Sequence, residues 1–215
     1  MLLGAKEQIK IPRATIERLP LYYKTLQNLD NDDVVTTSTL ELSKILGITP
    51  ETIRKDLNLF GHFGIKGAGY DVINLRLKIG NILGLQNYWR IAIIGVGNLG
   101  AALANFEKIT DWGFVIAALF DIDENKIGED INGVRIYDFK KFVPISGRKL
   151  IDIGVIAVPD DAAQNVADVL VEAGVKGIWN FSAVQIEVPN DFTVINENLM
   201  VGLSALSFYL NQNAK

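Results

Sequence analysis

Cysteine is absent and histidine occurs once, at His62, in a chain of 215 residues. The first absence excludes disulfides, thiolate metal ligands and thiol redox switches, so any response to redox state has to come through a bound ligand. With a single histidine, no metal site is expected. Long apolar runs are missing too. None approaches the ~20 residues of a membrane-spanning helix, and the N-terminal "MLLGAKEQIK" has neither a basic n-region nor a cleavage site, so a cytoplasmic protein with no membrane partner is expected. Charge of one sign is scarce: residues 1–80 carry 11 Lys and Arg against 9 Asp and Glu, residues 81–215 carry 10 against 16, and the net charge is −4. The positive excess lies N-terminally but is too small to establish nucleic-acid binding by itself. The composition, 49% hydrophobic and 21% charged, is that of an ordinary folded protein, and the length is most simply that of two domains.

In the N-terminal third, "RATIERLPLYYKTLQNL" predicts a helix, and "STLELSKILGITPETIRKDLNLFG" has the layout of a helix-turn-helix. Ser38 or Thr39 can cap a helix carrying Leu42, Ile45 and Leu46, which Gly47 breaks. Thr49, Pro50 and Glu51 then supply an N-cap hydroxyl, a proline at the first helical position and an acid in the first turn. On a helical wheel Ile53, Leu57 and Phe60 share an apolar face, with Lys55 opposite, flanked by Glu51, Thr52 and Asn58. That face suits a helix lying in a major groove, where first-turn residues meet base edges. A solvated face in a small bundle fits the wheel equally well.

The adjoining glycine-rich segment favours the major-groove reading. "GHFGIKGAGYDV" places Gly61, Gly64, Gly67 and Gly69 around Ile65 and Lys66, which implies a tight hairpin, the wing of a winged helix, with Lys66 at its tip to meet phosphates or the minor groove. A flexible linker would usually lack the embedded Phe63 and Tyr70. Asp71 then caps an amphipathic helix with Val72, Leu75, Ile79 and Leu83, ended by Gly84. Residues 1–84 are read as a winged-helix domain.

From Tyr88 the pattern changes to short apolar strands alternating with helices: "WRIAIIG", a helix from Asn98, "FVIAALFD", "IDIGVIAVP", a helix from about Asp161, "GIWNF" and "FTVIN". Such runs imply a parallel sheet covered on both faces, an α/β Rossmann-like domain over residues 85–196. Gly95, Gly97 and Gly100 follow the first strand and open a helix, and Asp121 ends the second strand. Glycines at these positions allow a tight turn and close approach of backbone to a pyrophosphate, and the carboxylate suits ribose hydroxyls while repelling a 2′-phosphate. NAD(H) is favoured over NADP(H), with Lys126 nearby as a counter-signal.

"YDFKK" offers Tyr137 and Lys141 at the spacing used by short-chain reductases, so a small NAD-dependent oxidoreductase is the alternative reading. Tyr137, however, ends an extended stretch, Ser146 and Ser182 both come after it, and there is no substrate domain. The last segment, residues 197–215, contains "NLMVGLSALSFYLNQ", apolar on more than one face. It needs a second surface, most simply a partner subunit.

Taken together, "KIPRATIERLPLYY", "TIRKDLNLFGHFGIKGAGYDV", "IIGVGNLGAALANF", "FDIDENKIG", "VIAVPDDAAQNVADVLVEAGVKGIWNFSAV" and "NLMVGLSALSFYL" closely resemble the Rex family of redox-sensing transcriptional repressors over nearly the whole length. The resemblance implies a non-enzymatic homodimer with its C-terminal helix exchanged between subunits, bound to double-stranded operator DNA when the ratio of NADH to NAD⁺ is low and released by NADH. It implies that Thr52, Arg54, Lys55 and Lys66 face DNA. By the same resemblance Gly95, Val96, Gly97, Asn98, Leu99 and Gly100 would hold the pyrophosphate and Asp121 the adenosine ribose. Val158 and Pro159, with Asn180, Phe181 and Ser182, would line the nicotinamide side. The chain departs from the family at three places. Ile65 precedes Lys66 where two basic residues are usual, "NFSAV" replaces "NFAPV", and Asn198 stands where an Asp is thought to pair with an Arg near the position of Arg18.

Overall fold

A computed structural model describes residues 11–65 and 69–213. The chain divides between Gln86 and Asn87 into two compact units.

In the first unit, helix α1 (Arg13–Asn31) buries Leu19, Tyr22 and Leu26. Strand β1 (Thr36–Thr37) leads into α2 (Thr39–Leu46), where Ser38 and Glu41 form a reciprocal capping box and Gly47 closes the helix in the left-handed region. Helix α3 (Pro50–Asn58) starts on Thr49, whose hydroxyl accepts from the Thr52 N–H at 3.3 Å. Each such cap contributes ~1 kcal/mol by satisfying an N–H that the helix cannot. Strand β2 (Tyr70–Asp71) returns antiparallel to β1, and α4 (Val72–Leu83) follows on an Asp71 cap. Leu42, Ile53, Leu57, Val72, Leu75 and Ile79 join the α1 residues in one core. Of the three apolar residues on α2, Leu42 is fully buried and Ile45 is 56% exposed, because so short a helix presents a narrow stripe to its neighbours. The arrangement is three helices, a two-stranded sheet and a fourth helix, the layout of a winged helix.

The second unit is built on a seven-stranded sheet. Strands β3 (Trp89–Ile94), β4 (Phe114–Asp121), β6 (Val134–Asp138), β7 (Ile153–Ile156), β8 (Gly177–Asn180) and β9 (Thr193–Asn196) are parallel, in spatial order β6-β4-β3-β7-β8-β9, and β5 (Asp130–Ile131) adds an antiparallel edge on β6. The order reverses between β3 and β7, the switch point at which doubly wound sheets take their ligands. One face is covered by α6 (Phe142–Lys149) and α7 (Asp160–Glu172), which bury Phe142, Ala163, Val166 and Leu170 against Ile94, Phe120 and Ile156. Among the described residues the other face has only the short α5 (Asn98–Ala104) and a 3₁₀ segment, Glu107–Trp112. No helix connects β8 to β9. The half of this face formed by β7, β8 and β9 therefore lacks a layer, and an apolar cavity of about 650 Å³ lies there, lined by Leu103, Phe106, Ile153, Val155, Trp179 and Ile195 among others. Helix α8 (Leu199–Asn213) follows β9.

Candidate nucleic-acid interface and dinucleotide site

On α3, Arg54 and Lys55 are exposed and Thr52 is half-buried, its hydroxyl 2.9 Å from that of Thr49. Behind them lies a residue that the helical wheel did not single out. Asp56 is 3% exposed and accepts from Arg18 Nε at 2.6 Å and Nη2 at 2.7 Å, from Tyr22 OH at 2.6 Å and from Thr15 Oγ1 at 2.8 Å. Burial alone would raise the Asp56 pKa. The hydrogen bonds from Arg18, Tyr22 and Thr15 outweigh it and hold the carboxyl below its ordinary value. The same hydrogen bond raises Arg18 further. Tyr22 is raised chiefly by its burial and then by its bond to Asp56. A cavity of about 520 Å³ beside this cluster is lined by Thr15, Arg18, Thr52, Lys55 and Asn58 among others. The signal for the cluster was present in α1: Thr15, Arg18 and Tyr22 repeat at helical spacing on one face.

After α3 an antiparallel bridge pairs Ile65 with Gly69, the Ile65 N–H donating to Gly69 O at 2.8 Å. Gly69 sits at φ +80° with its Cα against the carbonyl oxygen of Thr37, where a Cβ would collide, so only glycine fits. Ile65 is 57% exposed. Lys66 lies outside the described residues.

In the second unit Gly95 has φ +91°, and a Cβ there would come within 2.5 Å of Ala157 O and 2.8 Å of Val158 Cγ1. A Cβ on Gly100 would collide with Gly95 O, so both glycines are required by the packing of turn, strand and helix. Gly97 differs: its φ is −80° and nothing lies within 4 Å of a Cβ built on it. The protein itself has no need of glycine there, and the space fits a group brought close to the backbone, as a pyrophosphate would be. Asn98 is exposed and Leu99 half-buried; Val96 is 5% exposed, and its N–H donates to Asp121 Oδ2 at 2.8 Å. Asp121 Oδ1 accepts from the N–H groups of Ile122 and Asp123 at 2.7 and 3.0 Å, and Lys126 Nζ lies 3.3 Å from Oδ2. Burial pushes this carboxyl up, but the N–H donors and Lys126 prevail and its pKa is lowered. Lys126, the counter-signal in the sequence, thus has its charge engaged with Asp121 and, at 3.8 Å, Asp123.

Val158 and Pro159 stand between β7 and α7, and Asn180, Phe181 and Ser182 leave the end of β8, all at the edge of the sheet where Gly95 turns. Asn180 and Ser182 are 0% and 7% exposed, and their polar atoms are bonded within the protein. Arg18 is held by Asp56, and Asn198 instead accepts from the Met200 N–H at 2.9 Å, at the start of α8.

The reductase pair is not assembled. Tyr137 is on strand β6 with its ring 5.8 Å from that of Phe120, Lys141 ends a 3₁₀ turn, and Ser146 Oγ donates to Val143 O. The helix on which such a Tyr and Lys would share a face is absent from this segment, so the spacing is coincidental. Among the described residues no cluster of His, Cys, Asp or Glu could hold a metal ion, and no helix is long and apolar enough to cross a membrane.

Residues 86–184 match the family model "CoA binding domain" and residues 10–58 the model "Putative DNA-binding protein N-terminus". The chain is 44% identical, over 94% of its length and 93% of the relative's, to the redox-sensing transcriptional repressor Rex of Caldicellulosiruptor bescii. To its namesake from Syntrophomonas wolfei it is 45% identical, over 95% and 97%. Among solved structures, RSP in complex with β-NAD⁺ and operator DNA superposes with a TM-score of 0.91 at 40% identity, covering 96% of this chain and 95% of that one. RSP in complex with β-NADH gives 0.87 at 38%, covering 96% and 97%.

Proposed function

The chain belongs to the Rex family of redox-sensing transcriptional repressors, and from that premise we propose that it is a homodimeric, non-enzymatic repressor that binds operator DNA through its first unit and NAD(H) through its second, NADH weakening the grip on DNA. One observation carries the reading: a single chain joins a helix bearing exposed Arg54 and Lys55 to a glycine turn that ends at a buried, ionised Asp121. A repressor whose partner is operator DNA works in the cytoplasm.

Arg54 and Lys55 reach the major groove, Thr52 meets it near the start of α3, and Lys66 is the wing's cation. Gly95 to Gly100 hold the pyrophosphate, Val96 positioning Asp121 through its N–H while Asp121 takes the adenosine ribose. The loop after β8, with Val158 and Pro159, faces the nicotinamide. When bound, the cofactor supplies a ring that is a flat cation when oxidised and neutral when reduced. These residues tell the two forms apart; a ligand shifts a two-state protein only by its differential affinity for the states.

The dimer rests on two unpartnered apolar surfaces. The cavity over β7, β8 and β9 is open, and Met200, Val201, Leu203, Leu206, Phe208, Tyr209 and Leu210 of α8 are 54–63% exposed. A second copy of the chain supplies cover for both, with α8 exchanged, and gives the two-fold symmetry that a palindromic operator requires. The test is fluorescence anisotropy of a labelled palindromic duplex, selected from random DNA, titrated with protein alone, with NAD⁺ and with NADH. Selective release by NADH is expected; a DNA complex indifferent to NADH, or no selected DNA at all, overturns the reading.

A further inference from the structure

The loop after β8 and the root of the last helix are held by one side chain. Asn180 ends β8 with no solvent exposure (0%). Its amide nitrogen donates to Val184 O and to Asn196 Oδ1, each at 2.9 Å. Its amide oxygen accepts from the Ser182 N–H at 3.0 Å and from the Ser182 hydroxyl at 2.7 Å. Two donors and two lone pairs are all that an asparagine amide offers, so the group is saturated within the protein. Most of its capacity points into the loop from Phe181 to Val184, and one N–H crosses to Asn196, its register partner on β9. The main chain repeats the link, Asn180 O accepting from the Glu197 N–H at 2.8 Å.

Asn196 and Glu197 lead directly to Asn198, which accepts from the Met200 N–H where α8 begins. Strand β9 is at the edge of the sheet and pairs only with β8, so nothing in the sheet but β8 fixes the direction in which α8 sets out. On the other side the loop is pinned again, the Ala183 N–H donating to Asp160 Oδ1 at 2.8 Å, at the start of α7.

We propose that Asn180, through Asn196, is a positioning residue that ties the nicotinamide-side loop to the root of α8, so that a shift of the loop on exchange of NAD⁺ for NADH re-aims that helix. The proposal rests on the placement of the nicotinamide given under Proposed function. It gives Asn180 a task beyond the family-based expectation that it lines the pocket: its amide, spent on hydrogen bonds within the protein, transmits the loop's position and supplies no hydrogen bond to the cofactor. Aspartate at 180 would set a buried carboxylate against two acceptor oxygens, so the informative substitutions are at Asn196, which is exposed and contributes only the acceptor.

The experiment measures, for the full-length protein, the ratio of operator affinities with NAD⁺ and with NADH. It also measures NADH affinity, cofactor-free DNA affinity and the sedimentation coefficient. For Asn196→Ala the expected result is a ratio lowered at least roughly fivefold, the lower end of ordinary coupling, with the other three quantities at wild-type values. Asn196→Asp still accepts from the Asn180 amide and is expected to keep the ratio. Three results overturn the proposal: a wild-type ratio in Asn196→Ala, equal loss in both variants, or loss of dimer or cofactor-free DNA affinity, which marks a merely structural role. A wild-type protein whose DNA affinity ignores NADH overturns the underlying reading, and the proposal with it.

Discussion

A carboxylate recognises a diol by how its lone pairs are left after the protein has used them. Asp121 is supported by three main-chain N–H groups and by Lys126, so it is anionic at neutral pH and fixed in direction, and a ribose need displace only the flexible lysine. Asp121→Asn keeps the size of the side chain and removes its charge. We expect NADH affinity to fall roughly tenfold, about 1.4 kcal/mol, as befits a hydrogen bond to a charged group, while NADPH, no longer repelled, loses less; calorimetric titration of both nucleotides checks the ratio. This residue was legible in the sequence because its signal is local: a glycine turn, a strand and an acid at its end. Asp56 was not, for the opposite reason. Its partners Arg18 and Tyr22 are 38 and 34 residues away, and although a helical wheel sets Asp56 beside the apolar face of Ile53 and Leu57, nothing local says which groups would satisfy a buried carboxylate there. That the Asn180 amide is fully hydrogen-bonded within the protein was not legible either, since a saturated amide and a ligand-facing one have the same letter.

Helix α3 shows what such a hidden contact does at the scale of an element. Nine residues make a marginal helix on their own. Its direction is set by the apolar face and by Asp56, which clamps it to α1 through a bidentate contact with Arg18. Asp56→Ala leaves Arg18 without its anion and is expected to cost the first unit about 3 kcal/mol, the size found when one partner of a buried pair is removed, read as a lower urea midpoint of that unit's transition. The pH dependence has a definite sign. Asp56 titrates lower in the folded protein than in the unfolded chain, where its pKa is near 4. Its stabilisation is therefore complete above about pH 5 and fades as pH falls through the unfolded value toward the folded one. Asp56→Asn should flatten that part of the stability curve. The outward face of α3 carries a separate prediction: Lys55→Ala is expected to weaken operator binding and to reduce the slope of log K against log salt by about one if Lys55 meets a phosphate, as gel shifts at three salt concentrations would show. The caps at Thr49 and Asp71, the helix ends at Gly47 and Gly84 and this outward face were readable from the sequence. Helix α6 and strand β5 were not, because the segment from Lys126 to Leu150 lacks a clear period of either kind.

Over the whole molecule, the feature that no local pattern encodes is an absence. The sheet's second face is short of a layer because residues 181–192 cross from β8 to β9 without forming a helix, and the missing helix comes last, as α8, with its apolar side chains turned to solvent. Within one chain, Leu203 and Leu206 are 60% and 54% exposed, so replacing both by aspartate removes little that the single chain buries and should leave its fold intact. In the proposed dimer the same positions would be covered, and two charges per helix would enter an apolar interface, a penalty of several kcal/mol. Sedimentation of Leu203→Asp/Leu206→Asp is therefore expected to give a species of 23.7 kDa in place of one twice that mass. Its affinity for a palindromic operator should fall by about a hundredfold or more, because the second half-site no longer binds at the effective concentration that a linked partner provides. NADH binding separates this cause from misfolding: the turn, Asp121 and the loop after β8 all belong to one chain, so the monomer should bind NADH with an affinity close to that of the dimer. Loss of NADH binding together with the dimer, in a chain whose circular dichroism spectrum stays that of the wild type, would instead place part of the cofactor site in the partner subunit.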